Sequence, residues 1–468
     1  MSNRFDLIIR GGTVVTTAGV AKYDIGVSGG RIAALAERLG DAERVVDATG
    51  RLVMPGGVDT HCHIEEPPEG DSTISGNFET ETASAVTGGT TSIVCFAVQK
   101  VGTPMRTVVD DYRRRAAASR IDYGFHMIVT QATDDLVAEL PSLISEGNRS
   151  IKVFTTYELF RIGDADIIRL MEVARDNRAL MCIHAENDEA IRYTTARLIR
   201  EGRTAVKYHP ASKPIEFEAE AIRRMSTYAG MVGAPALFFH LSGGAAAEEV
   251  RRAAEHDPMI FGETCPQYLV FTAEDLDRPG REGERFVFSP APRTKADQEA
   301  LWRYIRTGVV SIVSSDHAPF FSVDADGKPL PGPRPFNAIP NGIPGIGARL
   351  PLLFSEGVAK GRISLEKFVA VTASNPARLF GLAPRKGSIA VGADADLVIW
   401  DPEETRVVTN AHFNHANDYS PYEGMTVQGW PQTAFLRGVQ AFADGKVVAP
   451  KGTGRYLAQS PYRTPTLS

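Results

Sequence analysis

The sequence predicts an α/β protein whose main part is a (β/α)₈ TIM barrel, joined to a small β-sandwich domain built from both termini. Two observations predict this fold. The middle of the chain alternates short apolar runs with helical stretches, as parallel β/α units do. Both ends instead carry short β-branched segments separated by glycine turns, which is typical of an all-β structure.

Eight apolar runs in the middle of the chain are predicted to be the barrel strands. Helical stretches such as 108–119, 165–176, 216–228 and 245–256 separate most of them. A barrel of eight such units typically needs about 250 residues and grows by insertions. In chain order the predicted strands are 57–63, 91–96, 123–129, 151–155, 180–184, 236–240, 259–263 and 309–314.

The two β-rich ends are expected to meet in one small domain. Residues 1–54 and 385–468 form the predicted sandwich with a C-terminal tail, and residues 55–384 form the predicted barrel. The polar tail from Arg455 to Ser468 has two possible fates, because such a segment either docks on a neighbouring subunit or frays.

Composition excludes several classes of function. The 468 residues carry a formal net charge of -6 without a basic block, which argues against nucleic acid or an anionic membrane as a partner. No apolar run approaches the ~20 residues that span a bilayer, and the first residues lack a signal-peptide core. The four cysteines show no Cys-x-x-Cys spacing and are expected to be free, buried thiols. The expected location is cytoplasmic.

Candidate metal ligands lie at the ends of several predicted strands. His61 and His63 would face the same side of an extended strand, and Cys62 between them would face away. A TIM barrel gathers the C-terminal ends of its strands at one mouth. Four histidines and one aspartate there could hold two divalent cations, provided that a group bridges them. Lysine cannot bind a metal as an ammonium ion, but a carbamate on Lys152 could bridge two ions. The predicted ligands are His61, His63, Lys152, His184, His240 and Asp316.

With these motifs in view, the chain resembles the cyclic amidohydrolases of the amidohydrolase superfamily, in their dihydropyrimidinase/hydantoinase branch. The resemblance extends over nearly the whole chain, and the stretch from Lys152 to Tyr157 is specific to the branch. The motifs that carry it lie at 55–63, 88–92, 151–157, 184–187, 263–269, 314–317, 374–378 and 392–398.

The resemblance implies a division of the ligands between two metal ions and a hydrolytic mechanism. His61, His63 and Asp316 would hold one ion, His184 and His240 the other, and N6-carboxylated Lys152 would bridge them. A metal-bridging hydroxide would attack the ring amide, with Asp316 as general base and acid.

Three further residues match positions of the family that contact the substrate. Tyr157 would donate a hydrogen bond to the developing oxyanion. Ser289 and Asn341 would fix the ring, mostly through backbone groups. Both of these also fit turns, because Ser-Pro and Asn-Gly are strong turn signals.

The implied substrate is a small cyclic ureide or imide, namely a 5,6-dihydropyrimidine or a hydantoin. Allantoin or a simple cyclic imide with the same mechanism is the alternative, and a non-catalytic scaffold of the same fold is a third hypothesis. Glu65 stands where dihydroorotases carry arginine, which argues against dihydroorotate. The acidic loop 65–71 either favours neutral or cationic substituents or is merely solvated, and loop 321–340 is expected to shape the pocket. The expected metal is zinc, with manganese or cobalt as alternatives. The expected assembly is a homotetramer or a homodimer.

Overall fold

The computed structural model describes residues 4–67, 74–322 and 332–468. None of the helices in these ranges is both long and apolar enough to cross a membrane. The strands are β1 (Phe5–Arg10), β2 (Thr13–Thr16), β3 (Gly19–Lys22), β4 (Asp24–Ser28), β5 (Arg31–Ala36), β6 (Ala42–Asp47), β7 (Leu52–Pro55), β8 (Gly57–Asp59), β9 (Thr90–Val98), β10 (Asp122–Ile128), β11 (Ser150–Phe154), β12 (Leu180–His184), β13 (Ala236–Phe238), β14 (Ile260–Thr264), β15 (Val310–Val313), β16 (Leu397–Val407), β17 (Thr426–Leu436), β18 (Val439–Ala443) and β19 (Lys446–Val447).

The helices follow the barrel strands, and shorter helical turns supplement them. The α-helices are α1 (Phe78–Thr87), α2 (Met105–Ala116), α3 (Asp134–Ser145), α4 (Asp164–Asn177), α5 (Asp188–Arg200), α6 (His209–Ser212), α7 (Ile215–Val232), α8 (Gly244–His256), α9 (Pro266–Val270), α10 (Lys295–Thr307), α11 (Arg349–Leu353), α12 (Leu365–Val369) and α13 (Asn375–Leu379). The 3₁₀ and π turns are Val206–Tyr208, Ala273–Asp277, Glu282–Phe286, Phe336–Ala338, Phe354–Ala359, Ala370–Ser374 and Asn410–Phe413.

Strands β8 to β15 form one eight-stranded parallel sheet in which spatial order follows chain order. Every residue of β9, β10, β11 and β12 is buried, as expected for strands enclosed by helices. The fold class predicted from the sequence is confirmed. Residues 68–71 of the acidic loop and 323–331 of the second loop lie outside the described residues.

Two strands end two or more residues earlier than the sequence predicts. The first ends at Asp59 rather than His63, because the Asp59 carboxylate accepts the backbone N–H groups of His61 and Ser315 in place of a ladder partner. The sixth ends at Phe238, and His240 follows it with a φ of 42°, which a strand does not accommodate. His61, His63 and His240 therefore lie on the segments that leave the strands.

A buried arginine joins the first and last strands of the barrel. Among the described residues no ladder pairs β8 with β15. Arg349 on α11 instead donates from Nη1 to the carbonyl oxygens of Val58 and Val313, at 3.2 and 3.0 Å. The side chain is 0% exposed, and its Nε lies 3.6 Å from the Asp59 carboxylate. This arginine therefore helps to close the barrel directly behind the His61 segment.

The β-sandwich contains strands from both ends of the chain. In its seven-stranded sheet β7 pairs with β16 in antiparallel register, so an N-terminal strand is hydrogen-bonded to a C-terminal one. A four-stranded sheet of order β5-β4-β1-β6 packs on it. Their shared core combines N-terminal side chains such as Ile9 and Ile25 with C-terminal ones such as Leu397 and Phe435.

A buried charge cluster joins the barrel to the sandwich. Lys386 Nζ lies 2.6 Å from Asp122 at the start of β10, 2.6 Å from Asp396 and 3.0 Å from Asp394. Arg437 pairs with the second oxygen of Asp122. Because burial of these charges costs free energy, the cluster stabilises the fold only while every member has its partner.

The C-terminal tail docks on its own barrel. The Tyr123 N–H donates to the carbonyl of Arg455, and the Leu457 N–H donates to the carbonyl of Tyr123. Further along, the N–H groups of Gln459 and Tyr462 donate to loop carbonyls that precede β11 and β12. The tail thus crosses the N-terminal ends of the barrel strands, on the opposite side from the predicted metal ligands.

Candidate metal centre

All nine residues singled out in the sequence line one cavity at the C-terminal ends of the barrel strands. They reach it from seven different segments of the chain, which only the barrel brings together. Much of the remaining wall is apolar and includes Pro67, Ile74, Phe160 and Phe320. The nine residues are His61, His63, Lys152, Tyr157, His184, His240, Ser289, Asp316 and Asn341.

Asp316 lies between the two histidines of the His-x-His motif. Its Oδ1 is 3.0 Å from Nε2 of His61 and 3.5 Å from Nε2 of His63. Ligand atoms of the three residues lie within 4.8 Å of one another. Burial by itself raises the pKa of Asp316, but the charge of His61 and hydrogen bonds from His61 and His63 hold it well below the ordinary value. The carboxylate is therefore ionised and suited to hold a cation.

His184 and His240 form the second group. Their ring centroids are 4.4 Å apart, and His240 is also 5.3 Å from the ring of His61. Burial lowers the pKa of both histidines, so both are neutral and can offer a nitrogen lone pair to a metal. Within the described part of the chain, Nδ1 of His240 has no hydrogen-bond partner.

Lys152 reaches the cavity from β11 without the partners that a buried ammonium needs. Its side chain is 0% exposed, and among the described residues its Nζ has no hydrogen-bond partner. Instead, Nζ lies 4.1 Å from the centre of the Phe239 ring and 4.6 Å from that of Phe154. Burial lowers the pKa of Lys152 to about 7. A substantial fraction of this side chain is therefore a neutral amine at neutral pH.

Three glutamates hold the far nitrogens of the histidines, and the sequence reading assigned them no role. Glu263 Oε1 lies 2.6 Å from Nδ1 of His61, and Glu66 Oε1 lies 2.6 Å from Nδ1 of His63. Glu186 Oε2 lies 2.7 Å from Nε2 of His184. Such carboxylates fix the tautomer of a metal-binding histidine and orient its ring. The short spacings His63-x-x-Glu66 and His184-x-Glu186 are sequence signals from which two of these pairs could have been predicted. Glu263 lies on a strand distant in the chain from His61, so no local spacing predicts that pair.

Cys265 lies beside one of these pairs but is not among the residues that line the cavity. Its Sγ and the facing atoms of His61 and Glu263 lie within 4.8 Å of one another. Burial raises the pKa of the Cys265 thiol well above its ordinary value, which disfavours the thiolate form. All four cysteines are free and buried, as the sequence predicts.

The backbone is strained at three of the predicted site residues. Tyr157, His240 and Asp316 have φ angles of 72°, 42° and 47°, in the left-handed region that non-glycine residues rarely adopt. Strain of this kind costs about 1–3 kcal/mol per residue and persists where the surrounding structure fixes it. It aims the three side chains into the cavity rather than along the strand directions.

The Ser289 hydroxyl belongs to a buried polar chain. It lies 2.8 Å from Glu186 Oε2, to which it donates, and 2.6 Å from Nζ of Lys213, which donates to it. The hydroxyl is therefore held by protein groups, which leaves the backbone of this segment for other contacts. Asn341 also lines the cavity, and its Oδ1 has no hydrogen-bond partner among the described residues.

The side chains of Glu65 and Glu66 point in different directions although the two residues are adjacent in the chain. Glu65 has a φ of 52°, and its Oε1 accepts the N–H of Phe78 at the start of α1. Arg115 lies 3.4 Å from its other oxygen. Glu66 lines the cavity, whereas Glu65 does not. The acidic residue that faces the cavity is therefore Glu66.

The donor set fits a pair of divalent ions. Imidazole nitrogens and a carboxylate are the ligands that zinc and its neighbours take in proteins. The partnerless Nζ of Lys152 and Nδ1 of His240 are buried polar atoms that the described protein groups leave unsatisfied. Bound ions would satisfy His240, and a carbamate would give Lys152 the oxygens needed to share them.

Comparison with known proteins agrees with this geometry. The model of the Amidohydrolase family matches residues 52–448. A D-hydantoinase of Rhizobium radiobacter is 41% identical over 466 residues, covering 98% of this chain and 100% of the relative. A D-phenylhydantoinase of Escherichia coli (strain SE11) is 37% identical, over 98% and 100% of the two chains.

Solved structures give the same result. The crystal structure of dihydropyrimidinase from Brevibacillus agri NCHU1002 superposes with a TM-score of 0.94 at 38% identity, covering 98% of this chain and 99% of that one. Sequence and structure therefore agree over the full length of the relatives. The chain belongs to the amidohydrolase family, in the branch of the hydantoinases and dihydropyrimidinases.

Proposed function

We propose that the protein hydrolyses the ring amide C–N bond of a hydantoin or a 5,6-dihydropyrimidine and releases the N-carbamoyl amino acid. The observation that carries the proposal is the cavity that four histidines and Asp316 share with the buried amine of Lys152, which has no hydrogen-bond partner among the described residues. The relatives named D-hydantoinase and dihydropyrimidinase support the choice of ring. Allantoin and simple cyclic imides are the alternative substrates.

Two divalent ions, zinc in the first instance, would be held by residues that already face one another. His61, His63 and Asp316 would bind one ion, His184 and His240 the second, and N6-carboxylated Lys152 would bridge the two. When bound, such ions acidify a water molecule and polarise the scissile carbonyl. Because CO₂ reacts with neutral amines, the apolar surroundings of Lys152 favour carbamate formation.

Asp316 would transfer the proton that hydrolysis requires. Water adds its oxygen to the ring carbonyl carbon, the C–N bond breaks, and one proton must move from the attacking oxygen to the leaving nitrogen. Asp316 is ionised and lies beside His61 and His63, so it can accept that proton and return it to the nitrogen.

Tyr157, Ser289 and Asn341 would bind the ring. The Tyr157 hydroxyl would donate a hydrogen bond to the carbonyl oxygen as negative charge develops there. The Ser289 hydroxyl is held by Glu186 and Lys213, so its segment would contact the ring through its backbone. Asn341 would contact the ring at the same wall of the cavity.

The remaining expectations from the sequence stay proposals. These are a cytoplasmic homotetramer, or a homodimer, and a division of the chain into a barrel of residues 55–384 and a sandwich of residues 1–54 with 385–468. No nucleic acid or membrane partner is proposed, since the net charge of -6 offers no attraction to a polyanion.

The test combines elemental analysis with hydrolysis assays on hydantoin, 5,6-dihydrouracil, allantoin and succinimide. We expect about two metal ions per chain and turnover of hydantoin or dihydrouracil. The variant Lys152→Ala should lose turnover while staying folded, and acetate or propionate should restore part of it by supplying the missing oxygens. Absence of metal and of turnover, even after incubation with zinc and bicarbonate, would overturn the proposal and favour a scaffold.

A further inference from the structure

Glu66 places a negative charge on the wall of the substrate cavity. Its side chain is 10% exposed, and its Oε1 accepts a hydrogen bond from Nδ1 of His63 at 2.6 Å. Among the described residues, no other side chain forms a hydrogen bond or an ion pair with this carboxylate. With a metal ion bound, His63 would be neutral, and its hydrogen bond would then leave the charge of Glu66 in place.

The rest of the cavity offers little to an anionic substituent. Within the described ranges, Lys152 is the one lysine or arginine on the cavity wall, and its amine is assigned to the metal centre. Pro67, which follows Glu66 in the chain, and Ile74 also line the cavity, and both are apolar. An exocyclic carboxylate on a bound ring would therefore meet the Glu66 charge without a free lysine or arginine of the described wall to offset it. In a poorly hydrated cavity, such repulsion between like charges costs much more than in water.

The neighbouring Glu65 does not share this role. Its carboxylate accepts the Phe78 N–H and faces Arg115, so its charge is compensated and directed away from the cavity. Substitution of Glu66 therefore changes the charge in the cavity, whereas substitution of Glu65 changes only the charge of the loop outside it.

We propose that Glu66 is a specificity-determining residue that selects against rings bearing an anionic substituent and favours rings with a neutral or cationic one. The inference rests on the proposed function and adds the charge class of the substrate. Glu66 also holds the ring of the metal ligand His63, so its hydrogen bond must be preserved in the test. Glutamine meets this requirement, because its amide oxygen accepts the same hydrogen bond without the charge.

The experiment compares three hydantoins of similar size with the metal-loaded protein. They carry carboxymethyl, carbamoylmethyl and 2-aminoethyl groups at ring carbon 5. In the unmodified protein, kcat/KM should be lowest for the carboxymethyl compound. Glu66→Gln should raise the kcat/KM of the carboxymethyl compound relative to the carbamoylmethyl compound by about tenfold or more. The same variant should lower the kcat/KM of the aminoethyl compound relative to the carbamoylmethyl compound.

The matched control is Glu65→Gln, which should leave both ratios unchanged. Ratios taken within one preparation do not depend on the fraction of loaded protein, and metal content is measured for each variant. Higher salt should also reduce the difference in kcat/KM between the carboxymethyl and carbamoylmethyl compounds in the unmodified protein. This measurement tests the inference without any substitution. If the carbamoylmethyl compound is turned over but Glu66→Gln leaves both kcat/KM ratios unchanged, this inference alone is overturned. The same holds if Glu65→Gln changes the ratios as much as Glu66→Gln does. No turnover of any ring would overturn the proposed function as well.

Discussion

Glu263 Oε1 lies 2.6 Å from Nδ1 of His61, on the opposite edge of the ring from Asp316. Both side chains are buried, and the next contact of this carboxylate oxygen is the N–H of His240 at 3.4 Å. One glutamate thus touches a predicted ligand of each metal ion. Its position explains why β14 carries an acidic residue in a fully buried strand.

Replacement of this glutamate should weaken the metal centre rather than the fold. In Glu263→Gln the amide can still accept from His61, but the charge that orients and polarises the ring is lost. We expect metal affinity to fall about 10- to 100-fold, in line with other residues that hold a metal-binding histidine. Metal retained during dialysis against a chelator measures this loss. Glu248→Gln on α8 is the control, and equal retention by the Glu263 and Glu248 variants would contradict the prediction.

Tyr157→Phe should slow the chemical step without loss of metal. The hydroxyl is proposed to stabilise the developing oxyanion, and removal of one such donor typically costs about 10²- to 10³-fold in kcat. Metal content should remain that of the parent protein, because Tyr157 is not a proposed ligand. Steady-state kinetics on the best ring measures kcat and KM separately. A change confined to KM would indicate that Tyr157 only binds the ground state.

Lys386→Met should destabilise the junction between barrel and sandwich. The substitution leaves the carboxylates of Asp122, Asp394 and Asp396 crowded together without their shared cation. Breaking a buried ion pair from one side typically costs about 3–5 kcal/mol. Urea denaturation measures the free energy of unfolding, with Lys360→Met as the control because Lys360 is exposed and pairs with Glu356 on the surface. Similar losses in the two variants would contradict the prediction.

The buried His209 should make stability depend on pH below neutrality. Burial, with the charge of Lys213, lowers the pKa of His209 to about 3, and its Nε2 donates to the Phe288 carbonyl. Below about pH 6.5 the His209 imidazole binds a proton in the unfolded chain but stays neutral in the folded protein. The contribution of His209 to the free energy of unfolding is therefore unchanged above pH 7. It decreases by about 1.4 kcal/mol per pH unit as pH drops through 6 towards the folded pKa.

The variant His209→Gln tests this dependence. Its amide can keep the bond to Phe288 but does not titrate, so the slope of unfolding free energy between pH 7 and 5 should decrease by the contribution of one histidine. His256→Gln on the surface is the control. Identical slopes in the parent and the His209 variant would show that other groups cause the acid sensitivity.

Sequence reasoning located the strands because the signal is local. All eight predicted runs coincide with β8 to β15 within a few residues, since a buried parallel strand needs a continuous apolar segment. The errors occur at strand ends. Whether β8 stops at Asp59 depends on the contact between Asp59 and Ser315, which are far apart in the chain. Ligand candidates were found because a barrel gathers strand ends whatever the details of its loops.

The sequence by itself determined the fold class and nine of the residues that line the cavity. Only the tertiary structure decided which of Glu65 and Glu66 faces the cavity, which carboxylate holds His61, and where the C-terminal tail docks. The physical reason is that periodicity and turn chemistry act over a few residues. The direction of a loop side chain depends instead on distant partners, here the Phe78 N–H and Arg115 for Glu65 and the His63 ring for Glu66.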